Sequence, residues 1–176
     1  GGVEPPRGGP AGIGGGGKHA NLVARRAGSW LFLGEVYTTL EIAPDAAHPD
    51  RCGTCSRCLE VCPTGAFPAP YRLDATRCIS YLTIEHRGPI PFEMRPQVGN
   101  WICGCDVCQE VCPWNDDHTQ AAPVNQGLMP SLAELMAIDD DGFRRRFAGS
   151  AIKRTKRRGL LRNAAVGHSI TALQHK

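Results

Sequence analysis

All nine cysteines of this 176-residue chain lie between positions 52 and 112, and no other feature restricts the fold as tightly. The first block reads Cys52-x2-Cys55-x2-Cys58-x3-Cys62-Pro63. Three thiolates spaced two residues apart can wrap one face of an iron–sulfur cubane. The fourth, carried away by a helical turn and followed by proline, ligates the neighbouring cluster in two-cluster proteins. The second block, Cys105-x2-Cys108-x3-Cys112-Pro113, repeats the first from its second cysteine onward. Its missing first ligand would be Ile102; Cys103 lies one residue out of register and Cys78 lies between the blocks. The count closes on two 4Fe-4S clusters. One takes Cys52, Cys55, Cys58 and Cys112, the other takes Cys62, Cys78, Cys105 and Cys108, and Cys103 is left over. Spacing alone leaves open whether Cys103 replaces Cys105 or Cys78.

Zinc is the competing reading, because Cys-x2-Cys pairs also build structural zinc sites. Zinc ribbons use two separated pairs, whereas this chain has runs of four and three cysteines, each ending in Cys-Pro. Thiols at such spacing in a reducing compartment read as metal ligands rather than disulfides. Trp101 and Trp114 flank the second block and are expected to shield the clusters from water.

The flanks carry other signals. Residues 1–17 hold nine Gly and three Pro, a low-complexity segment expected to be disordered or to be the frayed edge of a domain that begins further upstream. Within it Gly12, Gly17 and Lys18 imitate a phosphate-binding loop, but His19 stands where a magnesium-reaching Ser or Thr belongs and no apolar strand precedes. Residues 30–37, Trp-Leu-Phe-Leu-Gly-Glu-Val-Tyr, predict a buried strand, and residues 43–51 a linker. Ser131 with Glu134 forms a capping-box pattern that predicts a helix through Leu132, Leu135 and Met136. Phe143 and Phe147 predict a second helix, and Gly159 to Val166 a third.

Charge is split along the chain. Residues 142–176 hold ten Lys/Arg and no acid, leaving ten basic against 17 acidic residues, a net of −7, in the rest. The dense run Lys153, Arg154, Lys156, Arg157, Arg158 with Arg162 predicts a polyanion partner, since such clusters neutralise phosphates and release counterions. No apolar run reaches the ~18 residues of a membrane span, and no signal-peptide pattern opens the chain, so a cytoplasmic location and no membrane partner are expected.

Several long strings together resemble the epoxyqueuosine reductases of queuosine tRNA modification. They are Gly17-Lys18-His19-Ala20-Asn21-Leu22, Gly28 through Glu35, the first cysteine block, Arg77-Cys78-Ile79-Ser80-Tyr81 through His86, Gly104-Cys105-Asp106 to Asn115, and Lys153-Arg154 through Ala165. The resemblance covers roughly residues 17–165. It implies that Cys78 is a ligand and Cys103 is not. It also implies a reduction of epoxyqueuosine in tRNA that uses cobalamin, fed with electrons by the two clusters from an upstream donor. Lys18, His19, Asn21, Ser80 and Tyr81 would face the cobalamin, and Lys153, Arg154, Lys156, Arg157, Arg158 and Arg162 would grip the tRNA. The family is about twice as long, so its proton-donor Asp would precede residue 1. The expected architecture is α+β and monomeric. A Gly-rich segment (1–17) leads into the remnant of an α/β cobalamin-binding domain (18–42), a two-cluster ferredoxin-like module (43–120) and a small basic helical segment (121–176). An electron-transfer module without its own catalysis is the alternative.

Overall fold

The structure, a computed structural model, describes residues 12–46, 48–118 and 130–174. Among them are seven α-helices and one two-stranded antiparallel sheet, so the helix-plus-strand class expected from the sequence holds. The helices are α1 (Arg57–Glu60), α2 (Ile79–Ile84), α3 (Arg95–Val98), α4 (Val107–Glu110), α5 (Leu132–Ala137), α6 (Asp140–Arg146) and α7 (Lys156–Gln174). The strands are β1 (Gly15–Gly16) and β2 (Leu22–Val23), with Gly15 opposite Val23 and Gly16 opposite Leu22. The chain divides into two units, each built from separated stretches: Gly1–Asp74 with Val107–Ala122, and Ala75–Asp106 with Pro123–Lys176.

In the first unit, the end of the Gly-rich segment is ordered. Residues 1–11 lie outside the described residues, but Gly15 and Gly16 pair with the chain eight to six positions on, which corrects the expectation of disorder through residue 17. The pairing works because glycine lets two backbones approach: a Cβ on Gly14 would fall 2.3 Å from the Val23 carbonyl oxygen. The strand predicted at 30–37 is absent. Those residues have no regular structure, and Phe32 and Val36 are 107% and 91% exposed. Among the described residues no strand pairs with them, and an apolar run without a hydrogen-bonded ladder gains nothing from extended geometry. The linker at 43–51 carries no helix or strand among its described residues.

In the second unit, the three predicted helices form. Ser131 Oγ accepts from the Glu134 N–H at 3.2 Å, and Glu134 Oε2 accepts from the Ser131 N–H at 2.7 Å, the reciprocal capping box. Those hydrogen bonds hold the Glu134 carboxyl below its ordinary value. Phe143 and Phe147 are buried with ring centroids 5.3 Å apart, and they join Leu135, Leu160 and Ala164 in one apolar cluster. A second cluster holds Ile79, Leu82, Ile90, Val98 and Val166. Helix α7 contributes to both, running on to Gln174 beyond the predicted Val166. Burying such side chains is worth about 1.5–3 kcal/mol each before entropy is charged against it.

Candidate metal centre

The first cysteine loop is held from both ends. Asp50 Oδ1 accepts from the Cys52 N–H at 2.8 Å, and Asp50 Oδ2 accepts from the Tyr71 hydroxyl at 2.6 Å. The Tyr71 hydrogen bond, then that from Cys52, keeps the Asp50 carboxyl below its usual range. Tyr71 donates its N–H to the Lys18 carbonyl at 3.0 Å. Lys18 donates from Nζ to the carbonyls of Gly53 (2.7 Å) and Cys55 (2.8 Å), and from its backbone N–H to Cys52 Sγ at 3.4 Å. That ammonium therefore fixes the loop, which also disposes of the phosphate-loop imitation. Cys55 N–H closes a turn on Cys52 O at 3.0 Å, and α1 then carries Cys58 inward to 7% exposure.

Helix α4 packs on α1, and the turn after it delivers Cys112, whose N–H donates to Gln109 O at 3.0 Å. Cys52, Cys55, Cys58 and Cys112 thus line one cavity of about 450 Å³. Burial, with the charges of Cys52, Cys112 and Cys55 behind it, pushes the Cys58 thiol up to about 11. Burial pushes the Cys112 thiol up as well. Among the described residues, no group of three or more Cys, His, Asp or Glu side chains is drawn together around one metal-ion position. Four sulfurs spread around a cavity suit a polynuclear cluster, and this donor set fits a cubane. Arg25, Arg51 and Arg57 line the same cavity and offset the negative charge that four thiolates bring.

Asn115 locks this unit from beneath. Its Oδ1 accepts from the Ser29 N–H at 2.7 Å, and its Nδ2 donates to Ser29 Oγ at 2.9 Å and Gln109 O at 2.8 Å, with 1% of the residue exposed. Gly28 passes directly over it at φ +58°, where a Cβ would fall 2.1 Å from Asn115 Oδ1 and 2.6 Å from Trp114 O. Gly28→Ala is therefore expected to cost about 3 kcal/mol or more in urea denaturation, from overpacking plus a left-handed backbone. Gly34→Ala, which meets nothing within 4 Å, is expected to leave stability unchanged.

The other predicted ligands are distributed. Cys62 belongs to the first unit, where its Sγ accepts from the Ala66 N–H at 3.3 Å, and Cys108 sits in α4 of the same unit. In the second unit Cys78 is the N-cap of α2, and Cys105 packs against the Ile79 cluster. Cys103 has its sulfur 3.6 Å from Thr155 Oγ1. Of the residues expected at cobalamin, Lys18 and His19 line the cluster cavity, and the exposed Asn21 donates its N–H to His19 Nδ1 at 3.2 Å. Ser80 and Tyr81 occupy the first turn of α2 in the second unit. Trp114 lies over the Arg51 guanidinium, 5.7 Å from ring centroid to Cζ, and donates Nε1–H to Arg51 O at 3.4 Å. Sequence reasoning missed Arg25, Arg51, Arg57 and the Asp50–Tyr71 pair; only Asp50, two residues before Cys52, had a local signal, that of an Asx turn.

The basic residues divide into two kinds. Arg162 directs its fork inward: Nη1 donates to His86 O and Gly88 O, and Nη2 to Leu82 O, all at 2.7 Å. Arg157 Nε donates to Ile138 O at 2.8 Å, and Arg154 pairs with Glu85. Lys153, Lys156 and Arg158 are exposed, and no hydrogen bond or ion pair engages their side chains among the described residues. Lys156 and Arg158 border a second cavity of about 420 Å³ together with His86, Arg87 and Arg162.

Comparison with known proteins matches residues 51–115 to the 4Fe-4S double cluster binding domain. The epoxyqueuosine reductase of Xanthomonas campestris pv. campestris is 49% identical over 162 residues, covering 89% of this chain and 46% of the relative. The solved epoxyqueuosine reductase from Bacillus subtilis has a TM-score of 0.83 at 35% identity, over 94% of this chain and 47% of that one. An epoxyqueuosine reductase solved with an epoxyqueuosine-modified tRNA-Tyr stem loop has a TM-score of 0.80 at 34% identity, over 92% of this chain and 44% of that one. The chain thus spans about half the length of the relatives it matches.

Proposed function

We propose that this chain belongs with the epoxyqueuosine reductases and supplies electrons, through two 4Fe-4S clusters, for the reduction of epoxyqueuosine to queuosine in tRNA. The observation that carries this reading is the meeting of Cys112 with Cys52, Cys55 and Cys58 around one cavity, the crossed ligand pattern of a two-cluster protein. The resemblance to the epoxyqueuosine reductases would give Cys62, Cys78, Cys105 and Cys108 to the second cluster. Removing an epoxide oxygen to leave an alkene takes two electrons and two protons and releases water. When bound, the clusters supply single electrons and a reduced cobalamin supplies the reactive metal.

The chain's own residues do the rest. Lys18 and Asp50 fix the cysteine loop, and Arg25, Arg51 and Arg57 compensate its charge. Lys18, His19, Asn21, Ser80 and Tyr81 are the cobalamin-facing candidates. The test is a titration of cob(II)alamin into the anaerobically reconstituted chain. A saturable spectral shift supports the cobalamin role; full iron with no cobalamin response contradicts it and leaves an electron-transfer module. A cytoplasmic, monomeric enzyme supplied by an upstream electron donor fits this chemistry. No helix among the described residues is long and apolar enough to cross a membrane.

For the tRNA, the exposed Lys153, Lys156 and Arg158 carry the backbone contact. Lys156 stands at φ +61°, ψ 159°, a conformation that costs a non-glycine residue about 1–3 kcal/mol. Lys156→Gly should therefore keep or raise stability while weakening tRNA binding. Replacing Lys153, Lys156 and Arg158 together by alanine is expected to lower affinity about 10–100-fold at low salt and to flatten log K against log[salt] by about two to three units. An unchanged slope in a filter-binding series would remove this face from the interface.

A further inference from the structure

The cavity of about 420 Å³ in the second unit is walled by basic residues from two elements: Lys156, Arg158 and Arg162 of α7, and His86 and Arg87 of the loop after α2. Arginines clasp the two elements together. Arg162 Nη1 donates to His86 O and Gly88 O at 2.7 Å. In return Arg87 Nη1 donates to Arg154 O at 3.3 Å and Thr155 O at 3.4 Å, in the turn that leads into α7. The clasp brings two guanidinium groups to one hollow. Burial, then the charge of Arg87, hold the Arg162 guanidinium below its ordinary value, so the two cations feel each other. Among the described residues no Asp or Glu lines the cavity, and the neighbouring Glu85 pairs with Arg154 instead. Like charges held around a concave space repel one another, and an anion seated among them removes that repulsion.

Donors remain on this wall. Arg87 engages backbone carbonyls through Nη1 alone, and its Nε and Nη2 hydrogen-bond to nothing among the described residues. The side chains of Lys156 and Arg158 are exposed and likewise unengaged there. Guanidinium forks and an ammonium around one hollow suit the several oxygens of a phosphate. The volume falls within the range of about 300–1,000 Å³ that takes a drug-sized ligand. A lone phosphate leaves most of it unfilled, whereas a phosphodiester enters with its sugars. We propose that this cavity seats one phosphate group of the RNA backbone, held by Arg87 and Arg158 with Lys156 beside them, while Arg162 positions the loop that presents Arg87. The inference rests on the tRNA reading above and deepens it. It adds Arg87 to the interface and replaces a diffuse basic face by a fixed contact. A phosphate held at one point sets the register of the RNA on the protein without reading its sequence.

The experiment uses the full chain, reconstituted anaerobically with iron and sulfide, and a tRNA-Tyr stem loop carrying one uncharged methylphosphonate at each backbone position in turn. With wild-type protein, the methylphosphonate at the seated position should cost about tenfold in affinity. Arg87→Gln and Arg158→Gln should each bind the unmodified stem loop about tenfold more weakly. In both, that same methylphosphonate should now cost less than about twofold, because the group it faced is gone. Lys153→Gln, which lies outside the cavity, should weaken binding yet keep the wild-type penalty at that position. Circular dichroism checks each variant's fold; should Arg87→Gln not fold, Arg158→Gln decides the matter. Penalties unchanged at every position in either folded variant would overturn the inference alone. Saturable binding of inorganic phosphate that Arg158→Gln abolishes, with stem-loop affinity unmoved, would give the cavity to free phosphate and overturn it likewise. A wild type that binds no stem loop at all would instead overturn the tRNA reading beneath it.

Discussion

Replacing Cys58 by serine is expected to drop iron from about eight to about four or fewer per chain, while Cys103→Ser keeps about eight. Cys58 is the most enclosed of the first block, at 7% exposure, and burial pushes its thiol up to about 11 without metal. Iron must therefore displace a proton that this site holds firmly, and the site repays that only as part of a complete thiolate set. A serine hydroxyl ionises far less readily and leaves Cys52, Cys55 and Cys112 around a cavity they cannot close. Because ligand binding here doubles as folding free energy, the first unit should also become protease-sensitive. The structure gives Cys103 a neighbour in Thr155 Oγ1 at 3.6 Å, which is why its thiol should be dispensable. Iron lost from Cys103→Ser but retained in Cys58→Ser would reverse the ligand assignment.

Arg162→Met is the second large effect, and it falls on stability. The planar fork of Arg162 satisfies the carbonyls of Leu82, His86 and Gly88, the C-terminal end of α2 and the loop after it, while Nε donates to Asn163 Oδ1 at 3.0 Å. Asn163 extends the network, donating from Nδ2 to Thr83 O at 2.8 Å and Ile102 O at 2.7 Å. A methionine keeps the apolar stem but abandons three carbonyls, so about 2–4 kcal/mol should be lost in chemical denaturation. Lysine should rescue little, since one ammonium on a flexible stem cannot reproduce the fork. This separates Arg162 from Lys153, Lys156 and Arg158. If Arg162→Met left stability intact and weakened tRNA binding alone, its fork would belong to the RNA and the inward hydrogen bonds would be incidental.

The cysteine arrangement was readable because a cluster imposes its ligand spacing on the sequence. The x3-Cys-Pro ending of the second block already suggested that Cys112 crosses over to the first, and the structure lines one cavity with Cys52, Cys55, Cys58 and Cys112. The capping box at Ser131 was equally legible, since both of its hydrogen bonds are local. The misread segment is 30–37. Its apolar run resembled a strand, but a strand is made by its partner, and none pairs with it among the described residues. The roles of Lys18 and Arg162 were hidden for a related reason. A cation in a basic or Gly-rich string reads as free for a ligand, and only tertiary contacts 35 and 80 positions away in sequence show that backbone carbonyls have claimed it. Of the six basic residues that the resemblance would place on the tRNA, the structure leaves the side chains of Lys153, Lys156 and Arg158 without internal partners among the described residues.

The most direct test of the account is the metal content of the full chain after anaerobic reconstitution, with iron and labile sulfide counted beside the EPR of the dithionite-reduced sample. The account predicts about eight iron and eight sulfide per chain, with the broadened signal of two interacting reduced 4Fe-4S clusters. Stable uptake of zinc with no labile sulfide, or a single cluster of about four irons, would contradict it.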